Sequence, residues 1–208
     1  MSLIKSDFKN IIFDLGGVIL NIDYNLTINA FNKLGIEDFD QIYSKAQQDN
    51  LFDQYEIGKI SSPVFINEII TRCNKNISGE DVTAAWNAML LDLPKERLAL
   101  LEKLKSRYRT FLLSNTNDIH ITAYGNYLNK TFGFRDLSNY FEQQYLSFQV
   151  GMRKPHVEIF QHVLSQNNLK AEETIFIDDS IQHIEGAKQA GITALHLTGG
   201  KTILDLFL

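Results

Sequence analysis

Short apolar runs that end in a polar residue recur along this chain, and they predict the buried strands of a parallel sheet. The predicted strands are Asn10–Phe13, Thr110–Leu113, Gln144–Ser147, Thr174–Ile177 and Thr193–Leu197. Helical patterns separate the later strands, at Pro94–Arg107, Ile119–Leu128, Pro155–Ser165 and Ile184–Ala190. Regular alternation of strands and helices is typical of an α/β fold with a parallel sheet.

Between the first and second strands, the stretch from Tyr24 to Leu91 lacks a strand pattern and is predicted to be helical. The predicted helices are Asn25–Leu34, Gln41–Asp49, Pro63–Asn74 and Glu80–Met89. A serine before Pro63, and Ser78 before two acidic residues, are helix start signals. We therefore predict a catalytic core of residues 1–21 and 92–208, with a helical cap of residues 22–91 inserted as a lid over the crevice.

Carboxylates follow two of the predicted strands, at the carboxyl ends where open α/β sheets build their sites. Asp14 is the candidate nucleophile, because a carboxylate can attack phosphorus and form an aspartyl-phosphate. Asp178 and Asp179 are the candidate metal carboxylates, since a divalent cation removes the repulsion between adjacent anions. We expect Asp179 to ligate Mg²⁺ directly, with Asp178 acting directly or through a water.

Three further residues have side chains suited to binding a phosphate group. Lys154 precedes Pro155, which favours the first turn of a helix, and this predicts an ammonium beside a helix N-terminus. Ser114 and Asn115 follow the second strand and can donate hydrogen bonds to phosphate oxygens. Together with Asp14, these residues predict phosphate chemistry in one crevice.

The composition limits which binding partners and which cellular compartment are expected for this chain. The chain has 208 residues, 44% hydrophobic and 22% charged, with a net charge of −5, which argues against nucleic acid as a partner. A single cysteine, Cys73, excludes an internal disulfide and fits a reducing compartment. With no membrane-length apolar run and no signal-peptide layout at Met1, we expect a cytoplasmic protein that acts on a small phosphorylated metabolite.

In this order, the polar strand ends resemble the motifs of the haloacid dehalogenase-like hydrolase superfamily. The matching segments are Ile11–Val18, Phe111–Thr116, Gly151–Pro155 and Phe176–Ser180. Further similarity at Tyr145–Ser147, Glu185–Ala187 and Glu56–Ser61 resembles the phosphatase branch that includes bacterial α-D-glucose-1-phosphate phosphatases. The resemblance implies a Rossmann-like core with an inserted helical cap, Mg²⁺ dependence and a covalent aspartyl intermediate.

The resemblance also implies roles for individual residues. Asp14 would be the nucleophile, and Ser114 and Lys154 would bind the phosphoryl group. Asp14, Asp178, Asp179 and the backbone carbonyl of Gly16 would serve the metal.

Gly16 departs from most phosphatases of this superfamily, which have an aspartate two residues after the nucleophile. That aspartate protonates the leaving group, a contribution of roughly 10²–10⁴ in rate. The missing proton must come from water or from another residue such as Asp23, or the leaving group must tolerate negative charge. An anomeric oxygen does so better than an ordinary sugar hydroxyl, which predicts a preference for sugar 1-phosphates. The glucose-1-phosphate branch also has glycine at this position.

We therefore predict a Mg²⁺-dependent phosphatase acting on a small phosphomonoester, most simply a sugar phosphate. One alternative is a metal-free 2-haloacid dehalogenase in which Asp14 attacks carbon, and the two adjacent carboxylates argue against it. Another is a catalytically weak module that binds a phosphorylated ligand or a protein, supported by Gly16. Substrate choice is expected to lie in the cap, where Phe52, Tyr55 and Glu56 are the candidates.

Overall fold

The structure is a computed structural model in which residues 8–36, 50–73 and 76–207 are described. The predicted helix Gln41–Asp49 lies outside the described residues. Among the helices that are described, none combines the length and the apolar character that a membrane span requires.

The core is a five-stranded sheet in which every neighbouring pair of strands is parallel. Its strands are β1 (Asn10–Phe13), β2 (Arg109–Ser114), β3 (Gln143–Leu146), β4 (Thr174–Asp178) and β5 (Thr193–His196). The strand order is β3-β2-β1-β4-β5. The chain therefore leaves β1 in one direction and returns to its other side at β4, which is the kind of switch point where α/β sheets bind ligands.

Both faces of the sheet are buried because helices cover each of them, as continuous apolar strands require. Ile11 and Phe13 point into a cluster with the helices of one face, and Ile12 points into a cluster with those of the other. The core helices are α5 (Lys95–Lys105), α6 (Asp118–Phe132), α7 (Ser147–Val150), α8 (Val157–Gln166), α9 (Ile181–Gln189) and α10 (Ile203–Phe207). Helices α5, α6 and α10 pack on the first face, and α8 and α9 on the second.

In the described residues between β1 and α5, four helices form the cap around an aromatic cluster of their own. They are α1 (Tyr24–Lys33), α2 (Leu51–Glu56), α3 (Ser62–Cys73) and α4 (Gly79–Asn87). Phe52 and Trp86 stack with ring centroids 5.4 Å apart, and Tyr55 stacks on Phe65 at 4.2 Å. Among the core helices, α6 adds Ile119 to this cluster. The predicted fold class, a Rossmann-like parallel sheet with an inserted helical cap, is confirmed.

The chain enters and leaves the cap through two segments that pair with each other. The Asn21 N–H donates to the Asp92 carbonyl at 2.9 Å, and the Leu91 N–H donates back to the Asn21 carbonyl at 3.0 Å. Ile22 and Leu90 form an antiparallel bridge between them. The two connections are thereby held side by side next to the end of β1.

One predicted helix start was wrong, and three short helices, α2, α7 and α10, were not foreseen. Pro155 lies outside a helix, because α8 begins only at Val157, with His156 as its N-terminal flank. The helix α2, Leu51–Glu56, is six residues long, too short for its apolar spacing to stand out in the sequence. Pro63 does lie in the first turn of α3, as its position after a serine predicts.

The cap docks onto the core where Gly58 meets helix α7. Gly58 has φ +70°, and a Cβ built on it would lie 2.2 Å from the Phe148 carbonyl oxygen. A side chain there meets both an unfavourable backbone conformation and a rigid backbone atom. The contact therefore requires glycine at this position.

We predict that Gly58→Ala destabilises the protein more than Gly199→Ala does. Gly199 has a matching φ of +67° but no atom within 4 Å of its added Cβ, so its substitution isolates the backbone cost, about 1–2 kcal/mol. The steric conflict at Gly58 adds about 1–3 kcal/mol. Urea unfolding of both variants measures the difference. Equal losses would show that the cap shifts away from Phe148 without cost.

Candidate active site

The sheet brings its catalytic candidates together at the carboxyl ends of its central strands. Asp14 follows β1, Ser114 ends β2 and Asp178 ends β4. The Asp14 N–H donates to the Ile177 carbonyl at 3.0 Å, which extends the pairing of β1 and β4 to the site itself. Asp14, Ser114 and Asp178 are all buried. Chain topology alone thus places two carboxylates and a hydroxyl around one crevice.

Lys154 reaches this crevice from the loop before α8 and is fully buried. Its Nζ donates to Asp14 Oδ1 at 2.6 Å and to Asp178 Oδ2 at 2.7 Å. The ammonium is therefore held between two carboxylates rather than by a helix N-terminus. Burial opposes its charge, but the two carboxylates outweigh burial and raise the Lys154 pKa, so the side chain remains a cation.

Asp178 is held in place by several donors. Its Oδ1 accepts from the Ser180 N–H at 2.7 Å, and the ring Nδ1 of His183 lies 3.0 Å from both carboxylate oxygens. Burial favours the neutral acid, yet Lys154 and His183 together keep the pKa of Asp178 below its usual range. Asp178 is therefore ionised, and each of its carboxylate oxygens already accepts a hydrogen bond.

Asp179 differs from Asp178, because its side chain is exposed and lies against the backbone of Gly17. A Cβ on Gly17, whose φ is +75°, would lie 2.1 Å from Asp179 Oδ2. Only glycine leaves room for this carboxylate. Oxygen atoms of Asp14, Asp178 and Asp179 come within 4.8 Å of one another, the kind of cluster that can hold a metal ion.

The Asp14 carboxylate is in an electrostatically costly position. Burial raises its pKa to about 7, the neighbouring Asp178 adds to the rise, and Lys154 opposes it. Burial and Asp178 also raise the pKa of Asp179. Three carboxylates with a single ammonium leave an excess of negative charge, which a divalent cation would neutralise.

Asn115 positions the lysine loop through a reciprocal pair of hydrogen bonds. Its Nδ2 donates to the Lys154 carbonyl, and its Oδ1 accepts from the Lys154 N–H, both at 2.9 Å. A second constraint comes from helix α9, where a Cβ on Gly186 would lie 2.1 Å from the Pro155 carbonyl oxygen. The loop therefore packs tightly between β2 and α9. Substrate binding by Asn115 stays a prediction, and Ser114 lies beside it with its hydroxyl 3.4 Å from the Asn115 carbonyl.

These groups open into a pocket of about 480 Å³ at the junction of core and cap. Asp14, Gly16, Ser114, Asn115 and Asp179 line its core side. Cap-side and rim residues are Tyr24, Glu56, Met89, Leu90, His120, Tyr124, Arg153 and His183.

Glu56 joins the cap to the core at the rim of this pocket. Arg153 Nε lies 2.9 Å from Glu56 Oε2, within ion-pair distance but without hydrogen-bond alignment. The same guanidinium also pairs with Asp53. Burial raises the pKa of Glu56, and Arg153 opposes that rise. Glu56 thus lines the pocket, and its contact with substrate stays a prediction.

Tyr55 lies elsewhere than expected, in the packed interior of the cap. It is 2% exposed, its hydroxyl lies 2.9 Å from Ser62 Oγ, and it accepts from the Ile119 N–H at 3.3 Å. It is absent from the residues that line the pocket. On the short helix α2, Tyr55 faces the aromatic cluster and Glu56 faces the pocket, so this geometry does not support substrate contact by Tyr55, which stays a prediction.

Sequence reasoning missed two histidines of the pocket. His183 was not recognised because its contact with Asp178 depends on the turn between β4 and α9. His120 also lies in the pocket wall, stacked on Trp86 with ring centroids 5.2 Å apart. The sequence contains one indication of where His120 lies, because it follows by three residues Asn117, whose side chain caps the N-terminus of α6.

Comparison with known proteins agrees with this geometry. The model of the haloacid dehalogenase-like hydrolase family matches residues 8–191. The D-ribitol-5-phosphate phosphatase of Bacteroides thetaiotaomicron is 31% identical over 192 residues, covering 92% of this chain and 93% of that protein. The glyceraldehyde 3-phosphate phosphatase of Methanocaldococcus jannaschii is 26% identical, covering 88% of this chain and 72% of that protein.

A solved structure supports the same conclusion. A haloacid dehalogenase family enzyme from Bacteroides thetaiotaomicron, crystallised in complex with magnesium and inorganic phosphate, superimposes with a TM-score of 0.84. It is 37% identical, and the match covers 97% of this chain and 100% of that one. The phosphatases among these relatives support classing this protein as a phosphoric monoester hydrolase. The chain belongs to the haloacid dehalogenase-like hydrolase family.

Proposed function

We propose that this protein is a Mg²⁺-dependent phosphatase that hydrolyses a small phosphomonoester through an aspartyl-phosphate on Asp14. The observation that carries the proposal is the convergence of three carboxylates within 4.8 Å beside a fully buried lysine. A metal-free dehalogenase gains nothing from such a concentration of negative charge. The magnesium and phosphate bound by the related enzyme from Bacteroides thetaiotaomicron support the same chemistry.

The residues present fit a magnesium ion. All candidate donors are oxygens, which this hard cation prefers, and Gly17 leaves space where a Cβ would strike Asp179. Asp14, Asp179 and the Gly16 carbonyl would hold the ion, with Asp178 supporting them from its hydrogen-bonded position. When bound, Mg²⁺ would offset the negative charge of the phosphoryl group and of the nucleophile.

In the proposed reaction, Asp14 attacks phosphorus and the ester oxygen leaves with the bonding electrons. Lys154 holds Asp14 in position and offers its positive charge to the phosphoryl oxygens. Ser114 and Asn115, which line the pocket, donate hydrogen bonds to the same oxygens. Water then cleaves the phosphorus–oxygen bond of the intermediate, which regenerates Asp14 and releases phosphate.

The cap, which we place at residues 22–91, is proposed to exclude water and to select the substrate. Glu56 and Phe52 are its candidates for substrate contact, since both line cavities next to the site. We also keep a cytoplasmic location as a proposal, which rests on the single cysteine.

We propose that the substrate is a small sugar or polyol phosphate. The named substrates of two relatives, D-ribitol 5-phosphate and glyceraldehyde 3-phosphate, are esters of primary alcohols. The absence of a carboxylate at Gly16 instead favours anomeric or other good leaving groups. Asp23 offers no substitute, because its carboxylate caps α1 by accepting from the Asn25 N–H at 2.9 Å. Measurement of both ester classes decides between these expectations.

Asp14→Asn is expected to lower phosphate release at least 10³-fold without unfolding the protein, because an amide of the same shape is no nucleophile. The matched control is Asp205→Asn, which alters a carboxylate that accepts from the Thr202 N–H outside the pocket lining. Phosphate release and thermal unfolding are measured on both variants. A tenth of the wild-type rate remaining in Asp14→Asn would remove Asp14 from its proposed role.

Removal of metal is expected to abolish turnover, and Mg²⁺ is expected to restore it. Chelator treatment followed by titration of Mg²⁺ gives the concentration for half-maximal activity. Asp179→Asn should raise that concentration at least tenfold, because it removes an exposed charged oxygen from the cluster. Glu185→Gln is the control, since Glu185 pairs with Lys188 on the surface of α9. Full activity after complete stripping would refute the metal assignment.

Gly16 leads to a prediction about leaving groups. We expect wild type to hydrolyse sugar 1-phosphates and aryl phosphates faster than sugar 6-phosphates. Gly16→Asp should narrow that difference about tenfold or more, because it supplies a general acid. A Cβ on Gly16 would lie 3.0 Å from the flexible Ile22 Cδ1, so the added Cβ fits after a small shift of that side chain.

Gly16→Ala controls for that shift, because it adds the same Cβ without a carboxylate. If wild type already hydrolyses primary-alcohol phosphates as fast as anomeric ones, then another group supplies the proton and the leaving-group argument is wrong.

A further inference from the structure

Next to the site pocket, the cap encloses a second cavity of about 400 Å³, a volume typical of small-molecule pockets. We call it the cap cavity. It is lined by Tyr24, Thr27, Ile28, Phe52, Glu56, Trp86, Met89, Asn115, Thr116, Asn117 and His120. Several of these residues also line the pocket that contains Asp14. A group attached to a phosphoryl centre at Asp14 can therefore extend into the cap cavity.

The walls of the cap cavity are largely hydrocarbon and aromatic. Ile28, Phe52, Trp86 and Met89 supply them from the cap helices and the segment that follows. Trp86 is fixed between two rings, with Phe52 at 5.4 Å and His120 at 5.2 Å, both nearly parallel to it. This surface is rigid and offers apolar contact.

Several polar side chains in these walls already have partners, whereas the buried Trp86 Nε1 has no hydrogen-bond partner among the described residues. Thr27 Oγ1 donates to the Trp86 carbonyl at 3.1 Å, and His120 Nε2 lies 3.1 Å from the same oxygen. Asn117 bonds the other ring nitrogen of His120 at 3.2 Å, and its Oδ1 accepts from the His120 N–H. Burial lowers the pKa of His120 to about 4, so this imidazole is neutral near pH 7.

Within the described part of the chain, no lysine or arginine is available to bind an anionic group in the cap cavity. The lining of the cap cavity contains no lysine or arginine, and its one charged side chain is Glu56. Arg153, on the rim of the neighbouring pocket, is shared between Asp53 and Glu56. Lys154 is shared between two carboxylates of the site. An anionic leaving group would meet Glu56 and lose its hydration without gaining a counter-charge.

We infer that the cap cavity selects phosphomonoesters whose leaving group is uncharged, and that it rejects carboxylate-bearing and bisphosphorylated analogues. The inference rests on the proposed phosphatase function and deepens it, because it defines the class of leaving group. Apolar contact with Phe52, Trp86 and Met89 supplies the binding, and the absence of a free cation among the described residues of the lining supplies the discrimination.

Matched substrate pairs test this inference on the wild-type enzyme. Phenyl phosphate is compared with 4-carboxyphenyl phosphate, and glycerol 3-phosphate with 3-phosphoglycerate, each at saturating Mg²⁺. In each pair the compounds differ by one carboxylate at the end remote from phosphorus. We expect kcat/KM to fall at least tenfold for the carboxylate member, chiefly through KM. Equal values within a pair would overturn the inference, whereas no phosphate release from any substrate would contradict the proposed function instead.

Ile28→Lys supplies the missing cation at a half-buried position of the cavity wall. Its stem can keep apolar contact while its charge faces the cavity. We expect it to reduce the discrimination within each pair at least fivefold, whereas Ile28→Met, which is long but uncharged, should not. Circular dichroism and thermal unfolding confirm that both variants are folded. An unchanged ratio in folded Ile28→Lys would contradict the role of charge, and if that variant does not fold, the wild-type ratios decide.

Discussion

The rest of this site depends on one buried ammonium shared by two carboxylates. Lys154 has no solvent exposure, and its Nζ lies 2.6 Å from Asp14 and 2.7 Å from Asp178. Each of these charges is costly to bury alone, and Lys154 is the partner of both carboxylates, so its removal would leave Asp14 and Asp178 uncompensated. The three side chains come from β1, β4 and the loop before α8, and their pairing therefore fixes how three separate segments meet. Stability and catalytic geometry are coupled through this one contact.

Close approaches of backbone, which only glycine permits, make that contact attainable. Gly186 lets α9 approach the Pro155 carbonyl, so the lysine loop can lie beside β4. Gly17 leaves room for the Asp179 carboxylate next to the turn that follows Asp14. In both places the absence of a side chain leaves space, in one case for a backbone segment and in the other for a carboxylate that is a candidate metal ligand. The charged residues supply the chemistry, and these glycines determine where the charges can lie.

The sequence predicted the sheet well because its strands are buried on both faces, and continuous apolar runs that end in carboxylates are a strong local signal. Asp14, Ser114 and Asp178 could be located from that signal, since parallel strands share one carboxyl edge.

Tyr55 and His183 could not be placed in the same way. Tyr55 and Glu56 are adjacent on the short helix α2, and the rotation of that helix against the cap cluster decides which of them faces the pocket. Six residues contain too little hydrophobic periodicity to define that rotation. The contact of His183 with Asp178 likewise depends on the turn that starts at Ser180, which no pattern of apolar residues specifies. Asn115 was found at the site, but its bonding to the Lys154 backbone is a tertiary contact that spacing does not reveal.

Charged residues are concentrated in the core part of the site, and apolar residues in the cap part. Charged groups are concentrated at the strand ends, where a phosphoryl group and a cation need them. The walls of the cap cavity are instead largely apolar, and Thr27, Asn117 and His120 form hydrogen bonds within them. Arg153 joins the two regions, because it pairs with cap carboxylates while its neighbour Lys154 pairs with core carboxylates. Two consecutive residues cannot move independently over more than a few ångströms. A displacement of the cap at Glu56 would break ion pairs of Arg153, the residue next to the lysine that holds Asp14 and Asp178.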